Sequence, residues 1–137
     1  ATQHGYAVTA RMMTHPQTVD VLVTSNLFGD ILTDIGSAIS GSLGIAPGAN
    51  INPTRQHPSM FEPIHGSAPD IAGKGIANPI GAIWAGALML EHLGHHDLHH
   101  RILGAIERVV ATGRTLTPDL GGSAKTKDVA DAIVREI

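Results

Sequence analysis

Asp20-Val21-Leu22-Val23-Thr24-Ser25-Asn26-Leu27-Phe28-Gly29-Asp30-Ile31-Leu32-Thr33-Asp34 passes from a β-branched apolar run straight into helical spacing. Residues 20–24 read as a buried strand, because apolar residues follow one another without alternation. From Leu27 onward the apolar positions Leu27, Ile31, Ile35 and Ile39 recur every four residues, which is one face of a helix. The spacing predicts a helix from about Leu27 to Ser40. A strand that feeds a helix is the βα unit of an α/β protein, the fold class expected here.

Upstream, Val8 to Thr14 reads as a helix end closed by Pro16. Downstream, Gly41 to Gly48 is rich in glycine and small residues, and a domain crossing is expected there. Ser59 to Ile64 is short and apolar enough for a strand. The segment His65 to Pro79 carries Gly66, Pro69, Gly73, Gly75 and Pro79, so a long structured loop is expected, with Gly73 and Gly75 permitting positive φ. Pro79 suits the first turn of a helix that ends before Gly94. On that helix Ile80, Ile83, Trp84, Ala87 and Leu88 share one face, while Gly81, Ala82, Ala85 and Gly86 leave another small enough for close packing. Leu98 to Thr112 reads as a further helix with Leu98, Ile102, Ala105, Ile106 and Val109 inward and Gly113 as its stop. Thr126 is the expected cap of a last helix bearing Val129, Ala130, Ile133 and Val134.

The chain has 137 residues, enough for one ordinary domain, with 42% hydrophobic and 15% charged residues. Its formal net charge is −3 and it has no basic run, which disfavours a nucleic-acid partner. The absence of cysteine excludes a disulfide scaffold and a cysteine zinc site, and it fits a reducing compartment, so a cytoplasmic location is expected. Residues Ala1 to Ala10 lack the pattern of a signal peptide, and the apolar-rich stretch Ile80 to Leu90 is too short to span a bilayer. No membrane partner is expected. The first residue is alanine, which fits a processed chain or an excerpt.

Three patterns carry chemistry. Asp30 and Asp34 are four apart, so both carboxylates fall on one helix face, one turn apart. Like charges there repel by roughly a few tenths of a kcal/mol, and a divalent cation such as Mg²⁺ or Mn²⁺ reverses that sign. Acid pairs also occur on plain solvated helix faces, especially near the N-terminus. In the loop, Gly66 and Ser67 offer backbone N–H groups for phosphates, Asp70 an acceptor for ribose hydroxyls, and Asn78 or main chain an edge for adenine. No GxGxxG follows a strand, so this is not the Rossmann fingerprint, and an ordinary surface loop is the competing reading. Finally, His92, His95, His96, His99 and His100 include pairs four apart that suit zinc or nickel; a solvated turn between helices is the stronger reading.

Residues Ser25 to Asp34 and Phe61 to Pro79, joined by Gly41-Ser42-Leu43-Gly44-Ile45-Ala46-Pro47, resemble the β-decarboxylating dehydrogenases. Leu116 to Ala124 extends the likeness, which runs from about Ala10 to the C-terminus. Ala49 to Pro53 followed by His57 to Phe61 is similar to the tartrate and D-malate dehydrogenase branch. The resemblance implies an isopropylmalate dehydrogenase-like α/β fold, of which this chain is the C-terminal portion. Residues 1–40 would belong to the dimer-forming, metal-binding domain and 41–137 to the NAD-binding domain. It implies Mg²⁺ or Mn²⁺ at Asp30 and Asp34. It also implies NAD along the loop His65, Gly66, Ser67, Ala68, Asp70, Ile71 and Asn78. Asp70 would lie at the ribose hydroxyls, Glu62 near the nicotinamide, and His65 and Asn78 around the adenine. An acid at position 70 favours NAD over NADP, whose 2′-phosphate it would repel.

The reaction implied is oxidation and decarboxylation of a small 2-hydroxy acid, tartrate or D-malate, in a homodimer with a shared site. The family's substrate-gripping arginines and its acid–base Tyr and Lys have no counterpart in this chain. A third metal aspartate would fall at or next to Tyr6, where the chain reads His4-Gly5-Tyr6-Ala7. Foreign sequence, a frameshift scar and divergence each account for residues 1 to about 9. Isopropylmalate dehydrogenase, a non-catalytic nucleotide-binding fragment or subunit, and a histidine metal-binding protein are the alternatives. The 137 residues alone are expected to turn over weakly or not at all.

Overall fold

The computed structural model describes residues 3–137, so the part of the N-terminal reading that concerns residues 1 and 2 lies outside it. The elements run α1 (Gly5–Thr14), a 3₁₀ turn (Pro16–Thr18), α2 (Asn26–Ile39), a 3₁₀ turn (Leu43–Ile45), β1 (Pro47–Asn50) and β2 (Met60–Pro63). Then come α3 (Ile80–His92), α4 (His96–Thr112), a 3₁₀ turn (Pro118–Leu120) and α5 (Thr126–Glu136). The chain divides into two compact units, Ala1–Ser42 and Leu43–Ile137.

In the first unit α1 packs on α2. Gly36 brings α2 close to Met12, whose methyl would lie 3.5 Å from a Cβ added at that glycine. Arg11 closes the turn below α1: its guanidinium donates to the hydroxyl of Thr18 at 2.7 Å and to the Thr18 carbonyl. The expected strand at 20–24 does not form. The only sheet among the described residues is the ribbon β1–β2, and Val21 and Val23 are 82% and 96% exposed rather than buried. A strand is defined by its ladder, and no segment of this unit supplies one to residues 20–24. The apolar face of α2 likewise stays in the open, with Leu27 at 69% and Ile31 at 50% exposure. Leu32 and Ser37 are its buried residues instead, because α1 is the one helix that packs on it within this unit.

The second unit is built on α3. β1 and β2 pair antiparallel with Pro47 opposite Pro63 and Asn50 opposite Met60. α3 lies against that ribbon on one side and against α4 on another, and α4 in turn packs on α5. The core consists of Ile80 from α3, Ala105, Ile106 and Val109 from α4, and Val129, Ala132 and Ile133 from α5. These are the periodic positions of each helix, and full burial of each Ile or Val contributes about 1.5–3 kcal/mol. Gly94 and Gly113 end α3 and α4 in the left-handed region, as their positions predict. On α5 the cap is Lys125, and Thr126 is the first helical residue; Val134 of its expected face is exposed. The backbone N–H of Lys125 donates to Asp128 Oδ2 at 2.9 Å.

Gly81 sets the spacing between α3 and the chain before β1. A Cβ there would lie 3.0 Å from the Gly44 carbonyl oxygen, 3.1 Å from that of Ala46 and 3.3 Å from Pro63 Cβ. Two of those neighbours are backbone and cannot rotate away. Gly81→Ala is therefore expected to destabilise the second unit by about 1–3 kcal/mol, through overpacking that outweighs the gain in helix propensity. Thr117 is the opposite case. It is 1% exposed and its hydroxyl has no hydrogen-bond partner among the described residues. Replacing a buried, unsatisfied hydroxyl by a methyl removes a desolvation cost, so Thr117→Val should leave stability unchanged or raise it by about 1 kcal/mol. Chemical denaturation of both variants checks the pair.

Candidate metal and nucleotide sites

α2 begins after Ser25, which is extended, and carries Asp30 and Asp34 one turn apart on an exposed face. Thr33 donates its hydroxyl to the Asp30 carbonyl at 3.0 Å, so the local hydroxyl is spent on backbone. Neither aspartate carboxylate meets a cation or a hydrogen-bond donor among the described residues. The pair supplies hard oxygen ligands with unspent charge. Among the described residues no group of three or more His, Asp or Glu side chains converges, at this pair or elsewhere. An open cleft of about 890 Å³ in the same unit, lined by Val8, Arg11, Val19, Phe28 and Leu32, includes neither of them.

The loop between β2 and α3 gathers the other candidates. Glu62 is exposed on β2, opposite Gly48. His65 is half-buried, and its Nδ1 donates to the Gly66 carbonyl at 3.0 Å. Gly66, Ser67 and Ala68 follow, all exposed. Ala68 has φ 42°, in the left-handed region that L side chains seldom occupy, and its carbonyl accepts from the Ile71 N–H at 3.1 Å. That turn leaves Asp70 exposed at its tip. The Ile71 carbonyl then accepts from Lys74 N–H at 3.1 Å, and Gly73 and Gly75 take positive φ as the sequence predicts.

Asn78 stands apart from the rest of the set because it is buried. Its Oδ1 accepts from the Ile80 N–H at 3.0 Å, satisfying an orphan donor at the head of α3, and its Nδ2 donates to Asp119 Oδ2 at 2.9 Å. Its side-chain amide is therefore used inside the protein. Sequence reasoning gave no role to Asp119 and took Thr126 for a simple cap. The Thr126 hydroxyl instead donates to the Ala77 carbonyl at 2.6 Å, and its N–H to the Gly75 carbonyl at 2.9 Å. The one signal was Thr117-Pro118-Asp119, a turn-forming triplet.

The histidines do not converge. His92 Nε2 lies 3.3 Å from the Ser59 hydroxyl and its ring tilts against Phe61. His99 is buried, with Nδ1 donating to the Ala87 carbonyl at 3.1 Å, and the Glu91 carboxylate lies 3.8 Å from that nitrogen. His95, His96 and His100 are exposed. A solvated turn describes those three, and His99 is a hydrogen-bonded core residue.

The candidate residues thus fall on an exposed acid pair in α2 and on a glycine-punctuated loop leading into α3. The backbone matches the isocitrate dehydrogenase of Methylococcus capsulatus with a TM-score of 0.91 and 48% identity, over 96% of this chain and 39% of that one. A β-decarboxylating dehydrogenase from Thermococcus kodakarensis matches with a TM-score of 0.82 and 46% identity, over 96% of this chain and 38% of its own. By sequence, residues 5–133 match the isocitrate/isopropylmalate dehydrogenase family, and the chain belongs to that family. It is 57% identical over 133 residues to a probable tartrate dehydrogenase/decarboxylase of Bacillus subtilis (strain 168), covering 97% of this chain and 37% of the relative. It is 56% identical over 140 residues to a decarboxylating D-malate dehydrogenase of Escherichia coli (strain K12), covering 98% and 38%. The chain thus spans a little over a third of the length of these relatives. The family match begins at residue 5.

The strain at Ala68 is testable. Ala68→Gly should fold with stability within about 0.5 kcal/mol of the parent, since relief of the left-handed conformation is offset by the entropy glycine adds to the unfolded chain. Ala68→Val should cost about 1–2 kcal/mol, because a β-branched residue tolerates that conformation worst. Equal stability of the two variants would mean that the turn is not held in the left-handed region.

Proposed function

We propose that this chain is part of an NAD-dependent, divalent-cation-dependent dehydrogenase that oxidises and decarboxylates a small 2-hydroxy acid, tartrate or D-malate. The observation that carries the reading is the 56–57% identity, over nearly the whole chain, to proteins named for those two activities. The sites support it. Asp30 and Asp34 form a hard-oxygen pair with no counter-charge among the described residues, the donor set that suits Mg²⁺ or Mn²⁺. The loop offers exposed backbone at Gly66 to Ala68, and Asp70 stands at the tip of its turn, free to accept from ribose hydroxyls. Ile71, which closes that turn, is half-buried.

When bound, the cation supplies Lewis acidity at the substrate's hydroxyl oxygen and the dinucleotide supplies the hydride acceptor. This chain's own residues bind and orient. The two aspartates hold negative charge where a cation and the substrate's oxygens meet, Asp70 selects NAD over NADP by charge, and Glu62, His65 and Asn78 border the nucleotide. Residues 1–40 act as part of the dimer-forming, metal-binding domain, and 41–137 as part of the NAD-binding domain, in a homodimer. No helix among the described residues is long and apolar enough to cross a membrane.

In the full-length enzyme, Asp34→Asn should raise the Mn²⁺ concentration needed for half-maximal NAD reduction by more than about tenfold. Asp70→Lys should weaken NAD binding by about tenfold or more, as expected when charge-assisted hydrogen bonds are lost. Calorimetric titration with each ligand reads both. Unchanged NAD affinity in Asp70→Lys would remove that residue from the site. For the 137 residues alone, no turnover with D-malate, Mn²⁺ and NAD is expected.

A further inference from the structure

The loop that would carry the dinucleotide runs from Ile64 to Asn78 without helix or strand. Within it the backbone closes two local turns, Ile71 N–H to the Ala68 carbonyl and Lys74 N–H to the Ile71 carbonyl. Turns of that kind fix local shape and leave the placement of the loop on the molecule open. Placement comes from far along the sequence. The Asn78 amide bonds Asp119 across 41 residues, and the Ala77 carbonyl accepts from Thr126 Oγ1 across 49. Thr126 N–H adds the bond to the Gly75 carbonyl.

The segment supplying these bonds is itself well anchored. The Thr117 carbonyl accepts from Leu120 and Gly122, Ala124 N–H returns to the Leu116 carbonyl, and α5 drives Val129 and Ile133 into the core. Three bonds, at Gly75, Ala77 and Asn78, therefore tie the outgoing half of the loop to this anchored segment. The incoming half, Gly66 to Asp70, where phosphate and ribose contacts are proposed, is held from this tethered end and from β2.

We infer that Asp119 and Thr126 are positioning residues for the dinucleotide, each acting through the loop and not by touching the ligand. Asp119 Oδ2 is engaged by Asn78, and the Thr126 hydroxyl by Ala77, so their effect on NAD is transmitted by the backbone they hold. Preorganisation of this sort appears as affinity, because an unanchored loop must be ordered when the ligand binds. The inference rests on the proposed nucleotide role of the loop.

Thr126→Val keeps size and the backbone N–H but deletes the hydroxyl, and Thr126→Ser restores it. Asp119→Ala removes the acceptor from an exposed side chain and is not expected to disturb the core. In the full-length enzyme, Thr126→Val and Asp119→Ala should each raise the Kd and KM for NAD by about three- to tenfold, the size of one net hydrogen bond. The kcat and the KM for the hydroxy acid should hold within about twofold, Thr126→Ser should bind NAD like the parent, and amide exchange should quicken in residues 64–78 before elsewhere. A fall in thermal stability with NAD affinity and loop exchange unchanged overturns the positioning role. If Thr126→Val does not fold, Asp119→Ala and Thr126→Ser decide the question by the same readouts. Asp70→Lys, measured alongside, separates the two ideas. If it binds NAD normally, the nucleotide reading of the loop fails. If it alone loses affinity, that reading stands and the positioning role of Asp119 and Thr126 falls.

Discussion

Close approach of α3 to the chain just before β1 is possible only because position 81 has no side chain. With Cβ positions reaching 3.0–3.1 Å from two carbonyl oxygens, even a methyl group would push the helix outward. The consequences run back along the chain. Ile80, one residue earlier, is carried into the core against α4 and α5, while Asn78 is drawn down far enough to be buried. That burial lets one amide serve the head of the helix and the Pro118–Leu120 turn at once. The loop before α3 thereby acquires its fixed end from a packing constraint.

What could be read from the residue pattern was the part of the fold that is local. Helices α3, α4 and α5 obey a period of about 3.6 residues, and glycines at 94 and 113 stop two of them, so periodicity and caps together found their limits. β2 was readable from its apolar run. β1 was not, because Pro47-Gly48-Ala49-Asn50 has no β-branched or aromatic residue; it is a strand because β2 offers it a ladder. Residues 20–24 are the converse, a strong strand pattern without a partner in its unit. Propensity proposes, and non-local pairing decides.

The candidate sites were legible to different depths. Asp30 and Asp34 follow from spacing on a helix that forms where expected, and the structure keeps both exposed. The turns at Ala68 to Asp70 and at Gly73 to Gly75 are local and were foreshadowed by their glycines and proline. Asn78 was not readable as a tether, since its partner lies 41 residues away and no spacing rule links the two. His99 was read with its histidine neighbours as solvated. One helical turn separates it from Ile102 and Leu103, and that side of α4 faces the carbonyl of Ala87.

Val21 and Val23 project from a segment that belongs to no sheet, and their exposure has a consequence for the molecule in solution. Backbone N–H and C=O groups flanked by exposed valines are a template for strand addition from another molecule. Asp20 is the one charged residue beside Val21-Leu22-Val23, and there is no proline within the run to interrupt growth. In concentrated preparations of these 137 residues, colloidal behaviour would accordingly be governed by self-association through this short segment. A lysine at position 22 or 23 would be the smallest gatekeeper able to suppress it.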